Sequence, residues 1–476
     1  MITDFLTKVD DFMWGLPLIV LILSAGIFLT IRLKFIQVFH LPKALKFMVK
    51  NEEDGTGEVT SFGALCTALS ATIGTGNIVG VATAIGILAG GPGALFWMWI
   101  AALLGMATKY AEGLLAVKYR NIDSEGHVLG GPFYYIENGM GQKWKWLAKM
   151  FAFFGACAGL LGIGTFTQVN GIASAVQGFF DPDEKKKVII FGTDYSISIV
   201  ITAVVLAVLV GLVIIGGIKR ISKVSEFVVP FMAVIYILAA LTLIVSNYEK
   251  VPGAFVEIFE GAFGIRPIAG GTIGSIAIAM QMGVARGIFS NEAGLGSAPI
   301  AAAAAQTKSP VRQGLVTMTG TFIDTIVVCT MTGLSIVMMG SWENDQIKGV
   351  QVTTDAFKKG LYFMPENVAA FILMACLVFF AFTTILGWNY YGERCLEYLT
   401  DKNKKVVMIY RWLYIAAVFI GPYMTVSAVW TIADIFNGMM AIPNIIALFA
   451  LSGVVVKETQ KYLTTLKEEK KSKQTK

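Results

Sequence analysis

Residues 70–80 read SATIGTGNIVG, a run in which three glycines and several polar side chains interrupt the apolar segment 60–89. About 20 apolar residues span the hydrocarbon core of a bilayer, so the segment predicts a membrane helix. Glycine loosens helical backbone, and unpaired backbone at that depth is tolerated only where it lines protein or a water-filled cavity. We therefore interpret the run as a break in a membrane helix beside an internal site, although close helix packing would also use these glycines.

A second apolar segment, 268–305, carries a similar interruption. It contains MQMGVARG at 280–287 and SNEAG at 290–294. The pattern predicts that this helix is also broken and that its backbone is unwound near Met280 to Gly283. A pair of interrupted segments at equivalent positions of two halves is the best sequence indication of a transporter's central site.

The composition of the whole chain fits a membrane protein. Hydrophobic residues make up 55% of the 476 residues and charged residues 15%, whereas soluble domains carry about 25% charged residues. The first span starts with acidic residues, so it does not have the pattern of a signal peptide. The sequence predicts an all-α polytopic membrane protein with eleven transmembrane helices, near residues 12–34, 60–89, 92–119, 147–179, 195–218, 222–246, 268–305, 311–340, 366–398, 406–430 and 431–457.

The domain organisation follows from these spans. Setting the first aside as an accessory helix leaves five spans in each of two halves. An odd number of spans per half makes the halves inverted repeats, which predicts a 5+5 core with two broken helices. The predicted regions are the accessory N-terminal helix with a cytoplasmic connector (1–59), the first repeat (60–246), an extracellular connector (247–267), the second repeat (268–457) and a basic cytoplasmic tail (458–476).

Lysine and arginine residues predict the orientation in the membrane. Alternating loops place 27 of them on the side of the C-terminus and 9 on the opposite side. Because basic residues concentrate in cytoplasmic loops, we expect the N-terminus outside the cell membrane and the C-terminus in the cytoplasm. The net charge of +6 then reflects contact with anionic lipid, and no nucleic-acid partner is expected.

Other function classes are disfavoured by the residue inventory. The five cysteines lie in or beside apolar stretches without metal-ligand spacing, and the two histidines, His40 and His127, lie in polar connecting segments. The sequence has no Gly-x4-Gly-Lys-Ser/Thr loop, which argues against ATP-driven transport. We therefore expect no enzymatic activity and no cofactor. A channel would need a continuous polar lining, whereas the polar residues here cluster at one depth.

Three longer motifs resemble those of the alanine or glycine:cation symporter family. They are GGPGALFWMWI (90–100), GPFYYIENG (131–139) and FSNEAGLGSAP (289–299), and the resemblance covers essentially the whole chain. It implies uptake of alanine or glycine coupled to a cation by alternating access, with the inverted-repeat fold typified by the bacterial leucine transporter. Sodium is the expected coupling ion, and proton-coupled symport is the alternative.

A buried amino-acid zwitterion needs donors for its carboxylate and acceptors for its ammonium. The backbone N–H groups of residues 75–77 lie at the start of a half-helix, where the helix dipole favours an anion. The carbonyls of the second, unwound segment are expected to accept from the ammonium. Gln168 in the fourth span could bind either end of the ligand or bond a neighbouring helix. The expected substrate-binding residues are Thr75, Gly76, Asn77, Gln168, Met280, Gln281 and Gly283.

The coupling ion needs oxygen ligands. Resemblance to the inverted-repeat sodium symporters implies a site between the first break and the ninth helix, where threonine hydroxyls join backbone carbonyls, including that of Phe380. Paired threonines can instead bond their own helix. Asp324, near the middle of the eighth span, is a possible second cation or proton site because a carboxylate at that depth is costly. The expected cation-binding residues are Ser70, Ile73, Thr383 and Thr384.

Charged residues near the second interruption suggest a gate. Arg286 and Glu292 follow it on the cytoplasmic side and are expected to pair with each other. The alternative is a structural ion pair with Lys109 or Glu112 of the third helix. Asp434 lies close to a helix end and is interpreted as a capping or interfacial residue.

Overall fold

The computed structural model describes residues 8–9, 13–50, 55–123, 126–190, 192–265 and 271–474, and most of them are helical. The α-helices are α1 (Leu16–Arg32), α2 (Ile36–Phe39), α3 (Leu41–Val49), α4 (Ser61–Thr72), α5 (Val81–Ile85), α6 (Gly93–Lys118), α7 (Pro132–Tyr134), α8 (Lys145–Leu161), α9 (Phe166–Phe180), α10 (Ile197–Ile214), α11 (Gly217–Ser246), α12 (Val251–Ala262), α13 (Gly271–Asn291), α14 (Ala298–Ala303), α15 (Pro310–Thr321), α16 (Thr330–Met338), α17 (Val350–Gly360), α18 (Glu366–Leu399), α19 (Lys404–Ile420) and α20 (Val426–Gln474). Segments with π-helical hydrogen bonding span Gly76–Gly80, Tyr135–Met140 and Phe322–Cys329, and 3-10 turns span Gln142–Trp144, Tyr248–Lys250, Ser341–Glu343 and Gly421–Tyr423. Two antiparallel hairpins pair β1 (Asn121–Ile122) with β2 (Val128–Leu129) and β3 (Lys187–Ile190) with β4 (Thr193–Ser196).

Most of the predicted spans coincide with helices that are long and apolar enough to cross a membrane. Within the described residues there are eight such helices, or nine if the bent pair formed by α4 and the segment 76–85 counts as one span. Helix α1 is apolar but shorter, and α13 occupies the place of the seventh predicted span. The all-α membrane class is therefore confirmed, while the number eleven and the inverted relation of the two halves stay predictions.

The first predicted break is present. Helix α4 ends at Thr72, the chain becomes helical again at Gly76, and the two halves are bent by 50°. Close neighbours explain the glycines. A Cβ atom on Gly74 would lie 2.5 Å from Oγ1 of Thr384, and one on Gly76 would lie 3.0 Å from Cα of Ser290. The break therefore lies directly between α18 and α13.

The second broken helix differs from the prediction. Helix α13 is continuous as far as Asn291, so the expected unwinding near Met280 to Gly283 is wrong. Glycine at position 283 serves helix packing instead, because a Cβ atom there would lie 2.3 Å from the carbonyl oxygen of Ala94 in α6. The first residues of this predicted span, 268–270, and the end of the predicted connector, 266–267, lie outside the described residues.

The chain leaves the helix more than two turns after Gly283, between α13 and α14. Glu292, Gly294 and Gly296 all have positive φ angles, of 57°, 87° and 79°. Glycine adopts this region freely, but a glutamate in it is uncommon and must be held by its surroundings. The second break is therefore a tight turn at residues 292–297, directly after the end of α13.

The site lies where two groups of helices meet. Helix α6 packs against α13 and α15, while α18 packs against α8 and α9. Helix α4 contacts both α15 and α18, and α20 contacts both α6 and α8. The first break is thus held between elements that belong to different groups.

Candidate substrate and cation site

A cavity of about 1070 Å³ extends to the first break. Its lining includes Thr75 of the break, Asn170 and Gly171 of α9, and Trp430 of α20. Residues 346–351 line it as well, and they lie in a segment predicted to be extracellular. The cavity therefore runs from the break toward the predicted outer side of the molecule.

The amide end of the break meets two side-chain carboxamides. The backbone N–H of Thr75 donates to Oε1 of Gln168 over 3.0 Å, and the N–H of Gly74 donates to Oδ1 of Asn77 over 2.9 Å. The other end of the Gln168 side chain donates to the carbonyl oxygen of Ile163 over 2.9 Å. These oxygens occupy the places in which a ligand carboxylate would accept hydrogen bonds from the half-helix. The structure thus brings Gln168 together with residues 75–77.

The residues expected to accept from a ligand ammonium are not at the break. Met280 and Gly283 lie within continuous helix, where backbone carbonyls already accept helical hydrogen bonds. The side chain of Gln281 is exposed, and its Nε2 donates to the carbonyl oxygen of Trp14 over 3.5 Å. The unwound backbone on which the assignment of Met280, Gln281 and Gly283 to the substrate site rested is therefore absent.

The carbonyl end of the break meets the threonine pair of α18. Oγ1 of Thr384 donates to the carbonyl oxygen of Ile73 over 3.1 Å and to that of Phe380 over 3.0 Å. Oγ1 of Thr383 donates instead within its own helix, to the same Phe380 carbonyl over 3.0 Å. The hydroxyl of Ser70 likewise bonds within its own helix. The oxygens of Ile73, Phe380 and Thr384 are thus gathered at one point.

Asp324 connects the first break to the end of α13. It is completely buried, and its carboxylate accepts from Nδ2 of Asn77 over 2.7 Å, from Oγ of Ser290 over 2.9 Å and from Oγ1 of Thr325 over 2.7 Å. Three donors compensate a carboxylate that has been removed from water. The same carboxylate and hydroxyl oxygens are the ligand type that a hard cation prefers.

Arg286 and Glu292 do not pair with each other, so that prediction is wrong. Nη2 of Arg286 lies 2.9 Å from Oδ2 of Asp434. Its guanidinium also lies over the ring of Trp430, 4.8 Å from the centroid. Asp434 is accordingly a buried ion-pair partner and not a capping or interfacial residue. Arg286 and Glu292 are six residues apart, more than one and a half helical turns, so their side chains meet different partners.

Glu292 holds the turn that breaks the second helix. Its Oε1 accepts from Nε1 of Trp388 over 2.7 Å, and its Oε2 accepts from the hydroxyl of Ser297 over 2.5 Å. Lys109 and Glu112, the two residues considered for a structural ion pair, are both buried, and the carboxylate of Glu112 accepts from Nδ2 of Asn444 over 2.7 Å. Glu292 therefore links the turn after α13 to α18.

A polar cluster lies on the predicted cytoplasmic side of the molecule, opposite the side toward which the cavity runs. Nδ1 of His127, in the hairpin of β1 and β2, lies 2.7 Å from Oε1 of Glu58, just before α4. Its Nε2 lies 3.8 Å from Oε2 of Glu397 near the end of α18 and contacts Arg394. Hydrogen bonding to Glu397 and to Glu58 raises the pKa of His127 to about 9, against the opposing effects of burial and Arg394. The cluster thus connects the start of the first broken helix to α18.

Sequence reasoning missed the contribution of helix α20. Trp430 stacks on Phe289 with ring centroids 4.6 Å apart, Asp434 pairs with Arg286, and Nδ2 of Asn444 donates to the carbonyl oxygen of Gly294 over 2.9 Å. These residues of α20 share one helical face. Polar side chains repeated on one face of an apolar helix were the signal that could have identified them.

Comparison with known proteins identifies the family. The model of the sodium:alanine symporter family matches residues 1–476. The chain is 53% identical to an uncharacterized transporter of Haemophilus influenzae, with 98% of this chain and 97% of that protein covered. It is 47% identical to the sodium/alanine symporter AgcS of Methanococcus maripaludis (98% and 99% covered) and 37% identical to the probable sodium/glutamine symporter GlnT of Bacillus subtilis (95% and 89% covered).

A solved structure supports the fold. The crystal structure of MhsT in complex with L-phenylalanine is similar to this chain with a TM-score of 0.53 and 12% sequence identity, and the match covers 85% of this chain and 98% of MhsT. This likeness agrees with the all-α membrane fold that the family resemblance implies. The chain therefore belongs to the sodium:alanine symporter family, and it is a multi-pass membrane transporter, not an enzyme, that couples amino-acid symport to a cation.

Proposed function

We propose that the protein couples sodium entry to the uptake of a small neutral amino acid, alanine or glycine, by alternating access. One observation carries the proposal. The break in the first broken helix presents its carbonyl end to Thr384 and its amide end to Gln168. A cation is thereby offered the negative, carbonyl end of one half-helix. A carboxylate is offered the positive, amide end of the next half-helix, a few residues away. The relative AgcS is named a sodium/alanine symporter, which agrees with this assignment.

The substrate carboxylate is assigned to the amide end, at residues 75–77. It accepts from the Thr75 amide in place of the Gln168 side-chain oxygen, and the released carboxamide turns its Nε2 toward the ligand. The backbone at Gly76 lies against Ser290 and Phe289, so little space is left beside the half-helix. This confinement supports a small substrate, and glycine fits it as well as alanine.

Sodium is assigned to the carbonyl end. The carbonyl oxygens of Ile73 and Phe380 and the hydroxyl of Thr384 already lie together there. The hydroxyl of Thr383 and the carbonyl of Ser70 complete the expected ligand set after a small rotation. Oxygen ligands and the negative end of a half-helix both favour a hard cation.

Asp324 is assigned to a second cation or to a proton. Its carboxylate accepts hydrogen bonds from Asn77 of the break and from Ser290 of α13. A charge bound there would therefore interact with both broken helices. Proton-coupled symport remains the alternative function, and Asp324 is then the carrier, because a threonine hydroxyl cannot titrate near neutral pH.

Arg286 of α13 and Glu292 of the turn that follows it are assigned to opposite sides of the substrate. Arg286 stacks on Trp430, which lines the cavity, and belongs to the outer side. Glu292 holds Trp388 on the inner side and forms the inner gate. Inward opening then requires the bond between Glu292 and Trp388 to separate while the aromatic layer near Arg286 closes.

The orientation is proposed from the basic residues, with an extracellular N-terminus and a cytoplasmic C-terminus. Cysteine accessibility labelling at positions 8 and 470 tests it, and labelling of both from the same side would contradict an odd number of spans.

Uptake of labelled alanine and glycine into proteoliposomes tests the function. We expect accumulation driven by an inward sodium gradient and little accumulation under a proton gradient alone. Counterflow of labelled alanine separates a transporter from a channel, because a channel does not exchange internal for external substrate against its gradient. Uptake that follows pH and needs no sodium would replace sodium by the proton.

A further inference from the structure

Helix α20 presents one face to the segment that contains the end of α13 and the second break. Trp430 contacts Phe289, Asp434 contacts Arg286, and Asn444 contacts Gly294. Residues three, four and seven apart lie on the same side of an α-helix. This face of α20 therefore follows the broken helix from the cavity to the turn at 292–297.

Asn437 lies on the same face, between these contacts. It is three residues after Asp434 and seven before Asn444. Interpolation between the two contacts places it at the level of Ile288 and Phe289. Phe289 packs against Gly76 in the first break. Asn437 thus lies close to the depth assigned to the substrate, on an element that sequence reasoning did not connect with the site.

The side chain of Asn437 is completely buried, yet neither its Oδ1 nor its Nδ2 has a hydrogen-bond partner among the described residues. Buried carboxamides are normally bonded, since an unpaired donor or acceptor loses its hydrogen bonds to water without replacement. Asn444, two turns further along the same face, follows the normal pattern with bonds to Glu112 and Gly294. A ligand that supplies the partner accounts for the exception.

We propose that Asn437 is a substrate-contacting residue whose Oδ1 accepts a hydrogen bond from the ammonium group of the transported amino acid. This inference rests on the proposed function. The amide end of the break offers N–H donors to the carboxylate, but the carbonyls near Met280 that were expected to accept from the ammonium belong to continuous helix. Asn437, on α20, supplies the missing acceptor.

Asn437→Leu tests the proposal in the full-length protein, with alanine as the probe in saturating sodium. Leucine has nearly the same size and removes both polar atoms. We expect alanine binding to weaken at least about tenfold, since a hydrogen bond to a charged group is lost. We also expect the substrate-free protein to melt at the same or a higher temperature, because no bond within the protein is broken. A lower melting temperature without alanine would overturn the proposal, because it would reveal a partner within the protein.

Asn389→Leu is the matched control. Asn389 is also completely buried, and both of its polar atoms lack partners among the described residues. However, it lies between Ile385 and Glu393 on a face of α18 that contacts Tyr414 and Arg411 of α19. Its replacement is expected to leave alanine affinity unchanged. An equal loss of affinity in both variants would show a general effect of removing buried amides and would contradict the assignment.

Asn437→Asp decides which end of the ligand is bound. A carboxylate keeps the acceptor and removes the donor, so alanine binding should survive if the ammonium is the partner. Loss as severe as in Asn437→Leu would contradict the ammonium assignment. The parent protein separates this test from that of the function: if it binds no alanine, the proposed function fails, whereas if it and Asn437→Leu bind alanine equally, only the role of Asn437 fails.

Discussion

The backbone amide of Thr75 donates to the side-chain oxygen of Gln168 over 3.0 Å, although 93 residues separate the two in sequence. The donor is at the start of a half-helix, and the acceptor is on α9, which packs against α18. The hydrogen bond occupies the position assigned to the substrate carboxylate. Binding would therefore exchange an internal acceptor for the ligand, without leaving the helix end unpaired.

Gln168→Glu tests this exchange. A carboxylate fixed at position 168 would accept from the Thr75 amide more strongly than a carboxamide does, and it would repel the carboxylate of the ligand. We expect alanine affinity to fall more than about tenfold, whereas Gln168→Leu should cost less because it removes a competitor together with a donor. Isothermal titration of both variants with alanine is the measurement, and undiminished binding by Gln168→Glu would place the carboxylate elsewhere.

Gly76→Ala tests the close approach at the break. A Cβ atom at position 76 meets the backbone of Ser290 at 3.0 Å, whereas one at Gly80, in the same π-helical segment, meets nothing within 4 Å. Overpacking of this kind costs about 1–3 kcal/mol, so we expect a loss of about tenfold or more in alanine affinity for Gly76→Ala. Gly80→Ala is the control and should bind normally. Equal affinities in the two variants would argue against a site at residue 76.

Thr383 and Thr384 are expected to contribute unequally to sodium binding. The Thr384 hydroxyl already contacts the Ile73 carbonyl across the break, while the Thr383 hydroxyl bonds only within the region of α18 and α11. Thr384→Val should therefore raise the sodium concentration for half-maximal uptake more than Thr383→Val, by about tenfold if one supporting ligand is lost. Sodium and alanine must tighten each other by the same factor. That factor should shrink in both titrations, and an unchanged sodium dependence would move attention to Asp324.

The ion pair between Arg286 and Asp434 predicts a stability effect. Asp434→Asn leaves a largely buried guanidinium without its counter-charge, and breaking such a pair costs about 3 kcal/mol. The double variant Arg286→Met with Asp434→Leu removes both charges and should recover most of this loss. Thermal unfolding in detergent compares them. A double variant no more stable than Asp434→Asn would contradict this explanation, because the loss would then not come from the uncompensated guanidinium.

His127 predicts a pH dependence on the predicted cytoplasmic side. Its pKa is raised from 6.5 to about 9 by Glu397 and Glu58, so the charged form is the one stabilised by folding. That stabilisation is fully present below pH 6.5 and is lost as the pH rises through about 9. Thermal stability should fall more steeply between pH 8 and 10 in the parent protein than in His127→Gln. Parallel pH profiles would contradict a charged His127 in the cluster.

The sequence predicted the position of the first helix break correctly, but it did not predict the position of the second. Gly74 and Gly76 flank a polar residue in an apolar run, and both glycines face other helices at the break, as the pattern indicated. Gly283 looks similar in sequence, but it allows α13 to approach Ala94 of α6 without any break. A glycine by itself does not distinguish unwinding from packing, because the deciding atoms belong to a distant helix.

The sequence also could not predict which residues the buried charged side chains pair with. Arg286 was expected to pair with Glu292, six residues away, but it pairs with Asp434, 148 residues away. Which acid approaches a buried arginine depends on how α20 crosses α13. The same crossing brings Trp430 onto Phe289, and no local pattern in either helix specifies it.

A structure of the protein determined with alanine and sodium bound tests the central claim most directly. The account predicts that the alanine carboxylate lies at the amides of residues 75–77, with the Gln168 oxygen displaced from Thr75. It predicts sodium among the oxygens of Ile73, Phe380 and Thr384. Alanine located away from this break, with the bond between Thr75 and Gln168 intact, would contradict the account.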